Sequence, residues 1–302
     1  MFRNLQLYRI NKNWDLPVET LQARLATKPF TPCGSQDLSS RGWVSPTSDD
    51  RFVLASGGHY LITLKSQAKI LPAAVINERT EERAQEIEAQ QGYKPGRKQK
   101  REIKEAVVQE LLPRAFVRSH LTHAWIDLAG RWLIVDASTA AKAEEVLEAL
   151  RDVLDELPLA IMKTEISPVT LMADWLSANE ASGNFTIDQD CELRAVTDEK
   201  ATVRYVRHAL DGEDVRQHLA AGKLPTRLAL TFDERVSFIL TEKTLELKRL
   251  AFLDVVMDSA KEKADTTDLQ IEADFALLTG EVSRLLAELS EILHEVPDTP
   301  VV

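Results

Sequence analysis

The sequence is poor in cysteine: 2 of 302 residues, Cys33 and Cys191, with no C-x-x-C spacing. That argues against a disulfide framework or a zinc site and suits a reducing compartment. It has no apolar run near the roughly 20 residues that a membrane span requires. The opening Met1-Phe2-Arg3-Asn4-Leu5-Gln6 lacks the apolar stretch and small-residue cleavage site of a signal peptide, so a cytoplasmic location is expected. No G-x-S-x-G, P-loop, G-x-G-x-x-G or H-E-x-x-H is present. The expectation is a protein without catalytic, metal-binding or cofactor-binding groups. Two weaker signals stand against it. His120 and His123 are close in sequence, but a spacing of three on a strand puts them on opposite faces. Asp127 and Asp136 end two neighbouring expected strands, as a nuclease-like carboxylate pair would. No E-x-K or D-x-D stands beside them, and strand-end aspartates commonly make turns.

What is present reads as folded protein. Hydrophobic residues make up 44% and charged residues 28%, and the length suffices for two or three packed units. The net charge of −11 would on average repel nucleic acid. It is unevenly spread. Ala251 to Val302 hold 12 acidic residues against 3 basic, so residues 1–250 carry only −2. Within them, Gly92 to His120 hold 8 basic against 3 acidic.

Periodicity sorts the chain into elements. Leu5 to Ile10 alternates as a half-buried strand, and Pro17 opens a helix to about Thr27. Strands are expected at Phe52–Ala55 and Tyr60–Lys65, around the turn signal Gly57-Gly58. Two polar helices, 73–91 and Arg97–Leu112, flank Gly92-Tyr93-Lys94-Pro95-Gly96 and predict a projecting helical hairpin. Ala115–His120, Ala124–Leu128 and Trp132–Asp136 read as three strands, followed by a helix over Ala140–Leu154. Near Thr170 a second region begins: strand 201–208, helix 213–221, then strands at 226–232, 235–240 and 244–250, with Asp233-Glu234 as a turn. The order strand, helix, several strands occurs in both halves, which suggests a duplicated unit. Ile271, Phe275, Leu278, Val282, Leu285, Leu289 and Ile292 form a helical seam at alternating spacings of 4 and 3. Such a helix lies either on its own sheet or in a subunit interface. The fold class expected is α+β, with antiparallel sheets, the hairpin and a long C-terminal helix.

Three basic groups are candidates for chemistry. Arg97, Lys98, Lys100, Arg101 and Lys104 crowd the start of the second hairpin helix. Four of them, Arg97, Lys100, Arg101 and Lys104, fall on one face. Cations at a helix N-terminus oppose its dipole, a cost that contact with phosphate would offset; a merely solvated face is the alternative. Next, Arg114, Phe116 and Arg118 share one side of an expected strand, a cation–aromatic–cation row suited to phosphates with a stacked base. Phe116 could equally be a core residue. Third, Arg204, Arg207 and His208 lie on strand 201–208, where Arg207 faces away from the other two unless the strand ends there.

The chain resembles the RdgC family. The resemblance rests on Phe2-Arg3-Asn4-Leu5 with Tyr8-Arg9, Phe30-Thr31-Pro32-Cys33-Gly34-Ser35-Gln36, Gly42-Trp43-Val44, and Lys69-Ile70-Leu71-Pro72. It continues through Leu111-Leu112-Pro113-Arg114-Ala115-Phe116, Trp125-Ile126-Asp127 and Ala140-Ala141-Lys142-Ala143-Glu144. Ala221-Gly222-Lys223, Leu228-Ala229-Leu230, Leu247-Lys248-Arg249-Leu250, Asp274-Phe275 and Leu278-Thr279-Gly280-Glu281 complete it. The resemblance implies a ring-forming homodimer whose positively lined hole encloses single- or double-stranded DNA with little sequence preference. It also implies functional antagonism of the RecA recombinase, at the nucleoid. Residues 1–75 and 115–168 would be a centre region, 76–114 the hairpin tip, and 169–302 the base that dimerises. Phe116 with its flanking arginines would lie near the tip-to-tip gate, and Arg207 and His208 would line the hole. The family typically has Lys and Gln at those last two positions, so His208 departs from its pattern. The alternative is a regulator that binds a protein partner through the polar hairpin and never touches DNA.

Overall fold

A computed structural model describes residues 2–11, 14–160, 162–197, 199–243, 246–253 and 267–296. The fold is α+β. The chain runs β1 (Leu5–Ile10), α1 (Val18–Leu25), β2 (Ser39–Val44), β3 (Val53–Ser56), β4 (His59–Ile70), α2 (Ala73–Gln91) and α3 (Arg97–Leu111). It continues with β5 (Phe116–Asp127), β6 (Trp132–Asp136), α4 (Ala140–Arg151), β7 (Leu159–Ala160), β8 (Lys163–Thr164), α5 (Pro168–Ala178) and β9 (Phe185–Ala195). The last elements are β10 (Thr202–Tyr205), α6 (Glu213–Ala220), β11 (Lys223–Phe232), β12 (Val236–Thr241), β13 (Glu246–Phe252), α7 (Thr267–Ile292) and β14 (Glu295–Val296). Residues 244 and 245 of the expected strand 244–250 lie outside the described residues.

Two compact units divide the chain: Met1–Leu25, Ser45–Ile62 and His123–Val302 in one, Ala26–Val44 and Thr63–Thr122 in the other. In the larger unit the strands run antiparallel in the order β10-β9-β11-β12-β13-β1-β6-β5. The turn at Asp233-Glu234 falls where expected, with both residues left-handed, φ 50° and 52°. Period-two alternation sends Cys191, Leu193, Leu228, Leu230, Phe232, Phe238 and Leu240 into one core. The seam of α7 meets them: Phe275, Leu278, Val282, Leu285 and Leu289 belong to that same core, and the Phe275 ring stands edge-on to Trp125 at 6.3 Å. So α7 lies on the sheet of its own unit.

The smaller unit holds the helical hairpin. Gly92 ends α2 in the left-handed conformation, φ 81°, and its N–H donates to Glu88 O at 2.8 Å. The two helices enclose a small apolar centre of Ala84, Ile103 and Val107, edged by Ile76, Ile87 and Leu111. In the same unit β2 pairs with β4 from Ser39↔Ala68 to Val44↔Thr63. Segment 28–30 closes on β2: Phe30 N donates to Trp43 O at 2.9 Å, and Trp43 N to Lys28 O at 3.0 Å. A Cβ at Gly42 would stand 2.4 Å from Phe30 Cα, so only glycine permits this approach. Lys69 Nζ donates to Ser35 O at 3.0 Å and Leu112 O at 2.7 Å, tying this loop to the turn after α3.

Two sequence expectations are corrected. The stretches read as separate strands at Ala115–His120 and Ala124–Leu128 form one uninterrupted β5. The strand expected at 201–208 stops at Tyr205, and Arg207 turns the chain with φ 52°.

Candidate nucleic-acid interface

In the smaller unit the cations at the start of α3 are exposed. Lys100 reaches Glu81 of α2 at 3.2 Å, Arg101 reaches Glu105 at 3.6 Å and Lys98 reaches Glu102 at 4.0 Å. Exposed pairs of this kind contribute about 0–1 kcal/mol, so a phosphate could displace them. Arg97 and Lys104 make no ion pair among the described residues. Ile103 and Val107, beside the cationic face, are the residues that α3 buries.

Arg114 does not extend the β5 row. It ends a 3-10 turn, Leu112–Arg114, and the strand begins only at Phe116. The turn follows from Pro113, which cannot supply the N–H that would continue α3. The row therefore reduces to Phe116, Arg118 and His120 on one side of the strand, with Arg114 exposed at its entrance. Phe116 is 83% exposed, so it is not a core residue. On the other side of β5, Ser119 Oγ accepts from Gln67 Nε2 at 3.0 Å. This unit carries 14 basic residues against 9 acidic, which leaves 23 against 39 for the rest of the chain.

The third group lies in the larger unit, on the outward face of the sheet. Arg204 is not free: its Nε donates to Glu192 Oε2 at 3.1 Å. Glu192, 5% exposed, also accepts from Thr226 Oγ1 at 2.7 Å and sits in register between Arg204 and Arg227. Burial alone would raise its carboxyl, but these hydrogen bonds and the two arginine charges outweigh it and hold the pKa at about 2. Arg207 and His208 are both exposed in the turn after β10. Arg207 N donates to Asp190 Oδ1 at 2.8 Å, and His208 Nδ1 stands 2.7 Å from Ala209 O. Because the strand ends at Tyr205, alternation no longer separates Arg207 from His208. Tyr205 anchors the turn: burial and a hydrogen bond to Asp214 push its phenol up to about 12.

Sequence reading missed the partners of this group. Asp190, Arg227 and Arg249 line one recess of about 160 Å³ with Glu192, Arg204 and Tyr205. The signal was present as Asp188, Asp190, Glu192 and Arg194 at every second position of β9, the pattern of a strand with one charged face.

The carboxylates considered for a nuclease do not meet. Asp127 pairs with Trp132 across the β5–β6 hairpin, whereas Asp136 ends β6 four residues further on. That separates them by about 13 Å along the strands. Asp127 accepts from Gly130 N at 2.8 Å, and Asp136 Oδ1 from Arg3 N at 3.0 Å and Asn4 N at 2.9 Å. Among the described residues, no group of three or more His, Cys, Asp or Glu could hold a metal ion.

Comparison with known proteins covers nearly the whole chain. A family model described as "Putative exonuclease, RdgC" matches residues 1–296. The chain is 50% identical over 295 residues to the recombination-associated protein RdgC of Dechloromonas aromatica (strain RCB), with 97% of each protein covered. It is 48% identical over 288 residues to the protein of that name from Janthinobacterium sp. (strain Marseille), covering 95% of this chain and 96% of the other. With Cupriavidus pinatubonensis (strain JMP 134 / LMG 1197) the figure is 47% over 292 residues, 97% of each. Identity near one half, sustained from end to end on both sides, makes this chain a member of the RdgC family.

Proposed function

We propose that this protein takes part in recombination as a sequence-non-specific DNA-binding protein. Two copies, joined at their tips and bases, encircle single- or double-stranded DNA at the cytoplasmic nucleoid and limit RecA-mediated exchange by occupying the strand. The duplication of the α+β unit belongs to the same reading. So does the division into centre (1–75 and 115–168), tip (76–114) and base (169–302). No catalytic group is assigned: each aspartate considered for a nuclease accepts backbone hydrogen bonds at its own end of the β5–β6 hairpin.

The observation that carries the proposal lies in the smaller unit. An excess of cations there stands with an aromatic ring, Phe116, that is 83% exposed beside Arg118. Cations release condensed counterions from any sequence alike, giving affinity that falls steeply with salt, by about 0.9 in the logarithmic slope per duplex phosphate. An exposed aromatic ring offers any base a face on which to stack. Arg97, Lys98, Lys100, Arg101, Lys104, Arg114 and Arg118 would meet phosphates in this unit, and Arg204, Arg207 and His208 in the other.

The test is a fluorescence-anisotropy titration of labelled single- and double-stranded oligonucleotides of unrelated sequence over a range of salt. Similar affinities that fall linearly on a log–log salt plot are expected; absence of binding at low salt would overturn the proposal. A second reading, a regulator that binds a protein partner through the hairpin, draws support from the glutamates paired with Lys98, Lys100 and Arg101. Neutralising the α3 cations with the fold intact separates the two: DNA binding then falls under the first reading and is unchanged under the second.

A further inference from the structure

Among the register shifts in the larger unit's sheet, two deposit an arginine at the same recess. In β11 the register shifts between Pro225↔Leu193 and Arg227↔Glu192. The extra residue, Thr226, folds in and bonds Glu192, and Arg227 is left outward and exposed. In β13 the register shifts between Ile239↔Lys248 and Ser237↔Ala251. Leu247 faces the core, so strict alternation would bring Arg249 inward as well. Instead Arg249 takes φ 53°, its side chain is 75% exposed, and Leu250 enters the core in its place. Bulges of this kind re-aim side chains, and left-handed backbone at a non-glycine residue is uncommon and costly.

Asp190 joins two left-handed arginines. Its Oδ1 accepts from Arg207 N at 2.8 Å, and its Oδ2 lies 4.0 Å from Arg249 Nη1. Arg204 is held by Glu192, whereas the Arg227 guanidinium makes no hydrogen bond or ion pair among the described residues. The result is a recess of about 160 Å³ bounded by three arginines: Arg204 held by Glu192, Arg249 at the outer limit of an ion pair with Asp190, and Arg227 unpaired among the described residues.

We propose that this recess is a subsite for one phosphodiester oxyanion, bound by Arg227 and Arg249, and that Asp190 is its positioning residue. The inference rests on the DNA-binding reading above and adds to it the residues that seat the backbone on this sheet. Planar guanidiniums suit such an oxyanion because each offers two parallel N–H donors. Asp190 itself repels phosphate, so its presence here follows from holding the Arg207 turn and Arg249 in place.

That sign conflict supplies the test. Full-length wild type, Arg227→Gln, Arg249→Gln and Asp190→Asn are titrated against a labelled single-stranded oligonucleotide across salt, with thermal unfolding as a check on folding. Each arginine variant is expected to lower the logarithmic salt slope by about 0.7, the increment for one single-strand phosphate. Asp190→Asn removes a negative charge, which by simple electrostatics should tighten binding; the positioning role instead expects a loss on the order of tenfold, the weight of a hydrogen-bonded charge contact. Binding by Asp190→Asn equal to or tighter than wild type would overturn the positioning role. Unchanged slopes in both arginine variants, with wild-type binding intact, would overturn the subsite alone. No binding by wild type would overturn the DNA reading, and the subsite with it. The arginine variants carry the test should Asp190→Asn fail to fold.

Discussion

The two units divide the work of the chain in opposite ways. The larger one buries a continuous core in which Trp125, Phe232, Phe238 and Phe275 are at most 2% exposed, and it carries the acidic surplus. The smaller one has a basic surplus, a three-residue centre in its hairpin, and exposed Leu38, Ile70, Tyr93, Phe116, Val117 and Leu121. The larger core lies where charge opposes nucleic acid, and the cationic surface and exposed Phe116 sit in the unit whose hairpin has a small apolar centre. The difference shows why whole-chain charge misleads: at −11 it averages two units of opposite sign.

Substitutions can break or sharpen that contrast. The largest effect is expected from Phe275→Ala in the larger unit, where a ring with 0% exposure meets Trp125. Urea unfolding should show a loss of about 3–5 kcal/mol; a loss below that of any hairpin substitution would reverse the assignment of stability. Glu192→Gln should cost about 2–3 kcal/mol at neutral pH, because it removes the buried charge and replaces one of the two accepting oxygens with an NH2 that cannot accept from Arg204 or Thr226. The Glu192 carboxyl is depressed from 4.5 to about 2, so its contribution is fully present above pH 4.5 and is lost as pH falls towards 2. Acid unfolding of the Gln variant should therefore be flatter across that window. Ile103→Ala, in the hairpin, should cost about 2 kcal/mol and act locally. Hydrogen exchange should speed in α2 and α3 while the larger unit's amides keep their protection. Phe116→Ala should change stability by less than about 0.5 kcal/mol. It should nevertheless weaken single-strand binding by about 1–3 kcal/mol if the ring stacks a base.

Local chemistry made part of this legible. The β11–β12–β13 meander stands out because most of β11 and β12 alternates and Asp233-Glu234 separates them at hairpin length. The α2–α3 hairpin is marked by Pro72 and by Gly92 through Gly96. Periodicity does not single out α5, although Ser167 followed by Pro168 is a cap and first-turn signal: Ser167 Oγ accepts from Thr170 N at 3.1 Å. Strand β2, Ser-Ser-Arg-Gly-Trp-Val, has too few apolar residues for a periodic signal, and pairing with β4 creates it. For the interface, the cationic start of α3 and the aromatic at 116 were visible because their residues are sequence neighbours. The Asp190–Arg227–Arg249 recess was not, since its members lie on β9, β11 and β13 and two bulges, rather than alternation, turn the arginines outward.

The position of β1 has a consequence for the order of events at the ribosome. Its Leu5 pairs with Asp136 of β6 on one side and with Leu247 of β13 on the other. Strand β1, made before the other strands described, is thus an inner strand of the finished sheet, and one of its neighbours is encoded 242 residues later. At translation speeds of about 5–20 residues per second, that neighbour arrives roughly 10 to 50 s after β1. Through that interval one edge of β1 is open to any strand that reaches it first, whether from this chain or from another nascent copy. Yield in the cell should therefore depend on how quickly the C-terminal third is delivered, even if the finished protein is stable.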